Sequence, residues 1–235
     1  MTTYIFLNVP GHGHVNPTLG VAQELVRRGE RVIFYLTEEF RSAVETTGAT
    51  FRGYESRMGR LGESISAANQ SENPLPNSLM EESEAVLPQV FERIRADQPD
   101  FILYDTMCLW GRFAARALHV PTILTRPNYA SDSSFNPGRM MGMWIGANLP
   151  VLGNILKKVT HQGPAMGSGG NFLAAFRNID GRLAKLCQAY GVKPFTGLEA
   201  FFGSEALNIM FIPKEFQADG DKFDPSRFVF VGPSI

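Results

Sequence analysis

Only two cysteines, Cys108 and Cys187, occur among the 235 residues, each far from the other. That is too few for a disulfide framework and fits a reducing cytosol, so the expected location is cytoplasmic. Charge of one sign is also missing: 22 Lys and Arg stand against 23 Asp and Glu, for a net charge of -1. Such a balance leaves no electrostatic footprint for nucleic acid or an anionic membrane. The four histidines show no zinc-like spacing with one another or with the cysteines, so no metal is expected. No apolar run reaches the roughly 20 residues that a spanning helix needs. The uncharged stretch from Met140 to Leu156 is interrupted by Asn148, Pro150 and Asn154. It reads as the apolar wall of a binding pocket, with a shallow membrane contact as the lesser alternative. Met1-Thr2-Thr3 leads straight into the first strand, so no signal or transit peptide is expected.

What is present is an alternation of apolar runs and helical patterns. Residues 4–9, 31–36, 50–54, 101–104, 122–125, 207–212 and 228–231 read as strands. Residues 17–28, 37–47, 77–97, 107–118 and 171–190 read as helices, with Gly29 stopping the first and Pro88 breaking or kinking the third. Long segments rich in Gly, Asn, Pro and Ser, 55–76 and 126–170, interrupt the rhythm. Strand–helix alternation predicts an α/β fold, a Rossmann-like parallel sheet with helices on both faces.

The motif richest in chemistry is Pro10-Gly11-His12-Gly13-His14-Val15-Asn16-Pro17, directly after the first apolar run. Asn16-Pro17 reads as a helix N-cap and a first-turn proline, which leaves both histidines in the preceding turn. That turn lies at the carboxyl end of a strand, where open α/β sheets bind ligands. An imidazole there can take a proton near neutral pH, but a purely structural histidine is an equal alternative. A dinucleotide fingerprint would need a third glycine where Asn16 stands, and a phosphate loop would need Gly-Lys-Ser/Thr; neither is present. A nucleotide-dependent oxidoreductase is disfavoured on that ground. Asp105 closes the fourth strand at the same sheet edge. It can hold a histidine ring in one tautomer, or cap the helix starting near Met107, or do both.

The stretch from Pro10 to Thr18 closely resembles the N-terminal motif of family-one UDP-glycosyltransferases, most of all their bacterial macrolide and flavonoid branch. Arg27-Arg28-Gly29-Glu30-Arg31-Val32, Gln98-Pro99-Asp100 through Tyr104-Asp105, Ala206-Leu207-Asn208-Ile209 and Phe230-Val231-Gly232-Pro233-Ser234 continue the pattern along the whole chain. The resemblance implies the N-terminal, acceptor-binding half of a GT-B glycosyltransferase. It implies His14 as the general base that takes a proton from an acceptor hydroxyl, with Asp105 balancing the charge. The oxygen then attacks the anomeric carbon of a UDP-sugar in one inverting displacement, without a metal or other cofactor. Gly13 belongs to the same substrate-binding turn. Asn128 stands where the family often has a small polar residue near the sugar donor, although Arg126-Pro127-Asn128 departs from the usual serine version. Met107, Phe135, Met140, Met141 and Trp144 are candidate walls of an apolar acceptor pocket, with core packing as the plainer role for any one of them.

The family's second domain binds the UDP-sugar through a His-Gly-Gly-type loop, and no such loop occurs in the 235 residues. The expectation is a single acceptor-binding domain over 1–235, incomplete without a donor-binding domain in cis or in trans and inactive alone. Its expected partners are an apolar small-molecule acceptor and a UDP-sugar. A non-catalytic small-molecule-binding module is the alternative, and exposed apolar surface is compatible with self-association.

Overall fold

The computed structural model describes residues 1–58, 75–128, 130, 172–217 and 220–233. Seven strands form one sheet: β1 (Thr3–Leu7), β2 (Arg31–Leu36), β3 (Thr50–Gly53), β4 (Phe101–Asp105), β5 (Thr122–Arg126), β6 (Leu207–Met210) and β7 (Phe228–Phe230). Their spatial order is β3-β2-β1-β4-β5-β6-β7, and every neighbouring pair is parallel. Parallel strands need long crossovers, and these carry the helices α1 (His12–Arg27), α2 (Arg41–Thr46), α3 (Leu75–Asp97), α4 (Leu109–Leu118), α5 (Phe172–Ala189) and α6 (Gly197–Phe202).

The central strands are apolar throughout because both sheet faces are covered. Alternate residues divide between two cores. Ile5, Leu7, Ile33, Tyr35, Ile102 and Tyr104 pack with α3, α4 and α5 on one face. Phe6, Phe34, Leu36 and Leu103 pack with Val15 and Ala22 of α1 and Val44 of α2 on the other. Two-residue periodicity thus assigns each side chain of β1, β2 and β4 to a layer.

The expected helix start at Asn16-Pro17 is corrected: α1 begins at His12, with Gly11 as an extended N-cap that lends no side-chain bond. The backbone N–H groups of His14 and Val15 both donate to the Gly11 carbonyl at 2.9 Å, closing the first turn. Pro17 inside the helix forfeits only the bond to the Gly13 carbonyl. Gly13 is exposed, so water can satisfy that oxygen. At the far end Gly29, at φ +82°, stops the helix as expected. Its N–H donates to Val26 and that of Glu30 to Leu25, the paired arrangement typical of a left-handed C-terminal residue.

Pro88 does not break α3, which runs unbroken through it. Pro88 is exposed, so the carbonyl it leaves unbonded can face water rather than the core. Helix α4 starts at Leu109, two residues after the expected position, and α6 is an element that the sequence pattern did not announce. Helix α4 sits close on the sheet because Gly111 has no side chain. A Cβ there would stand 2.6 Å from the Cβ of Tyr104 and 3.3 Å from that of Leu7.

Candidate active site

From β1 the chain builds outward to β2 and β3, then crosses back to β4 on the other side. The junction of β1 and β4 is therefore the point where the winding direction reverses, and ligands of open α/β sheets bind beyond its carboxyl ends. His14, the third residue of α1, follows β1 there, and Asp105 is the last residue of β4. Asp105 shares the parity of Leu103, which faces α1, and so it is delivered to the layer that carries His14.

The two side chains meet: His14 Nδ1 lies 2.6 Å from Asp105 Oδ2. The carboxylate is fully buried, while 13% of the His14 side chain remains exposed. Asp105 Oδ1 accepts the N–H of Met107 at 2.8 Å. Of the two roles expected for Asp105 the ring partner is present, whereas the helix cap is corrected to a local backbone anchor, with one oxygen on each partner. The anchor is a turn ahead of the helix and not a helix cap, since α4 begins after Cys108 without a side-chain cap. Asn8, at the end of the first apolar run, donates from Nδ2 to the His14 carbonyl at 3.1 Å and fixes the same turn from below.

An ionised carboxylate can only accept, so Nδ1 of the neutral ring carries the proton and Nε2 presents a lone pair. No described residue hydrogen-bonds Nε2. Burial works against a charged ring, but the Asp105 charge and its hydrogen bond outweigh it and raise His14 above the ordinary value of 6.5. The pair can therefore take a proton at Nε2 and hold the resulting imidazolium against a buried anion.

The other expected site residues fall into three groups. Gly13, exposed beside His14, has nothing within 4 Å of where a Cβ would stand, so the space over the first turn is open. Met107 is half-buried, anchored through its N–H to Asp105 and packed against the core. Asn128 follows β5 at the same sheet edge and is exposed, with no hydrogen bond to another described residue. Phe135, Met140, Met141 and Trp144 lie outside the described residues. His12 opens α1, exposed, its ring edge-on to Phe40 at 4.9 Å. Among the described residues no three His, Cys, Asp or Glu side chains cluster as a metal site would require.

Asn8 was not anticipated, although it is the one amide in an otherwise apolar run, which is the signal that could have found it. Tyr54 was missed as well. It follows β3 at the same edge, buried, with its hydroxyl 3.4 Å from the Asn8 carbonyl.

No family model matches the chain. It is 34% identical over 229 residues to the NDP-glycosyltransferase YjiC of Bacillus subtilis strain 168, covering 97% of this chain and 50% of that protein. It is 25% identical to demethyllactenocin mycarosyltransferase of Streptomyces fradiae, over 99% of this chain and 47% of the relative. The chain thus spans about half the length of the curated relatives it matches. Among solved structures it superposes on CalG4, the calicheamicin glycosyltransferase, with a TM-score of 0.72 and 28% identity, over 100% of this chain and 53% of that one. The sequence similarity and the superposition agree, and the chain belongs with the bacterial glycosyltransferases of GT-B fold, of which it corresponds to an N-terminal half.

Proposed function

We propose that the chain is the acceptor-binding half of an inverting UDP-sugar-dependent glycosyltransferase, with His14 as general base and Asp105 as its charge partner. The observation that carries this reading is the 2.6 Å contact between His14 Nδ1 and Asp105 Oδ2 at the β1–β4 junction. An acceptor hydroxyl placed at Nε2 gives up its proton to the ring as its oxygen attacks the anomeric carbon of the sugar. The bond from that carbon to the UDP oxygen breaks, UDP leaves with the electron pair, and the anomeric configuration inverts. A positioned base of this kind contributes about 10²–10⁴-fold, and holding the two substrates in line contributes much of the rest.

The acceptor class is an apolar small molecule with a nucleophilic hydroxyl, such as a macrolide, flavonoid or other phenol. Relatives named for demethyllactenocin and oleandomycin support that choice. The UDP-sugar is a co-substrate held mainly by a C-terminal donor domain, supplied in cis or in trans, and the reaction calls for no cofactor or metal. We place the protein in the cytoplasm; among the described residues no helix is long and apolar enough to cross a membrane.

The test joins the chain, native or His14→Ala, to the donor domain of a related enzyme and follows transfer from UDP-glucose to a panel of phenols. Transfer should occur with the native chain and fall by at least about 10²-fold with His14→Ala, while calorimetry shows acceptor binding unchanged. Native-level transfer by His14→Ala would remove the base assignment. Acceptor binding without transfer by the native pair would instead favour a non-catalytic binding module.

A further inference from the structure

From Asp105 outward, the strand registers set Thr125, Ile209 and Val229 side by side on one face of the sheet, the face that carries His14. Leu207 stands beside Ile123 in the neighbouring row. Burial falls away along the row. Asp105 is 0% and Thr125 2% exposed, Ile209 is half-buried, and Val229 is 40% exposed. Val231 continues past β7 with the same parity and is 52% exposed. The reverse face of the same strands is closed, with Leu124, Asn208, Met210 and Phe228 all buried. A position at the sheet edge would open both faces of β7 alike. Phe228 is instead buried while Val229, next to it, is open, so one face alone lacks its cover.

On the bare side, α1 and α2 pack through Val15, Ala22 and Val44 over the strands from β2 to β4, with Ile123 of β5 at the border of that core. Among the described residues, Leu207, Ile209 and Val229 belong to neither of the two cores. Parallel sheets are covered on both faces, and their usual cover is a helix. The uncovered strip from β5 to β7 is two strand spacings wide, about 10 Å, which is the width of one helix. Its side chains are aliphatic apart from Thr125, so a helix that fits must present an apolar stripe.

The relatives are about twice as long as this chain, so a complete enzyme has a further half of similar size to hold against it. In the proposed reaction that half brings the anomeric carbon to His14, and the bare strip starts from the row of Asp105 itself. We infer that an amphipathic helix of the donor-binding half seats on the β5–β7 face, its apolar stripe on Leu207, Ile209, Val229 and Val231. The inference rests on the reading of this chain as an acceptor-binding half.

Both native cysteines are buried, so a thiol placed on the strip is the one a water-soluble maleimide reaches. Val229→Cys and, separately, Val231→Cys are made in the full chain alone and in the chain joined to the donor domain of a related enzyme, whose own cysteines are replaced. Arg28→Cys, exposed just past the far end of α1, is the control. Joining should slow labelling at 229 and 231 by at least about tenfold, as for a site open to the reagent a tenth of the time or less, and leave Arg28→Cys unchanged. Equal rates in the two proteins would overturn the docking face. So would labelling that is already slow in the chain alone and quickens on dilution, which would give the strip to a second copy. Transfer by the same joined protein is read separately. Transfer with unprotected thiols would overturn the docking face and leave the catalytic reading standing, and protected thiols without transfer would do the reverse.

Discussion

Replacing Asp105 by Asn changes the least in shape and the most in charge. The amide oxygen of Asn can still accept the Met107 N–H, which now goes to Oδ1 at 2.8 Å, so the local turn survives. What is lost is the charge-assisted bond to His14 Nδ1 at 2.6 Å. A hydrogen bond to a charged group contributes about 1.5–3 kcal/mol. Its loss lowers the His14 pKa. Burial remains in the variant and disfavours the charged ring, so the midpoint should drop from above 6.5 in the native chain to below it. The assay is a proton–carbon NMR titration of the four histidine rings, with His14→Gln identifying the signal of His14. Linkage supplies a second reading. A pKa raised by folding stabilises the native state fully below the unfolded value of 6.5, and this is lost as pH rises through the folded pKa. The stability gap between native chain and Asp105→Asn should therefore be wider at pH 6 than at pH 9. In the role proposed for it, His14 accepts a proton only when neutral. The acid limb of the rate profile should move to lower pH in the variant, with a lower plateau because the amide N–H₂ favours the wrong ring tautomer. A His14 midpoint that stays put or rises in Asp105→Asn would refute the coupling.

Gly111→Ala should destabilise the chain by about 1–2 kcal/mol in urea unfolding. The gain in helix propensity of about 1 kcal/mol is outweighed by overpacking, because the Cβ atoms of Tyr104 and Leu7 are fixed to strand backbone and cannot swing aside. A variant as stable as the native chain would mean that α4 can lift off β4 freely. Asn8→Ala removes the donor on the His14 carbonyl and should cost about 0.5–1.5 kcal/mol in thermal unfolding. In the complete enzyme it should lower kcat more than it changes KM, since the loosened turn misplaces the base; a change confined to KM would contradict that role.

How much of this could be read beforehand depends on whether the cause is local. After Arg31, Val32–Leu36 is apolar on both faces, as suits a strand with both sides covered, and the expected limits 31–36 agree with the observed strand. The pairing of His14 with Asp105 spans 91 positions, yet it was legible because parallel strands bring all carboxyl ends to one edge. The start of α1 was misread because a proline is favoured in the first turn of a helix, whereas Pro17 lies inside α1. The exposure of Gly13 relaxes that signal, and exposure is a property of the fold rather than of the local sequence. Pro88 misled for the same reason. Asn8 and Tyr54 escaped notice because each is unremarkable alone and joins the His14 turn only when β1, β3 and α1 converge.

The two-residue alternation that sorts β1 and β4 into layers has a consequence for how such a protein can change. His14 and Asp105 work from the side of the sheet covered by α1, whereas Tyr54, Glu82 and Trp110 belong to the side covered by α3 and α4. A sheet of close-packed strands acts as a bulkhead between them. Mutations that reshape one compartment reach the other only through backbone shifts of about an ångström or less, which rigid interiors resist. Changes confined to the α3–α4 side should therefore leave the contact between His14 and Asp105 in place.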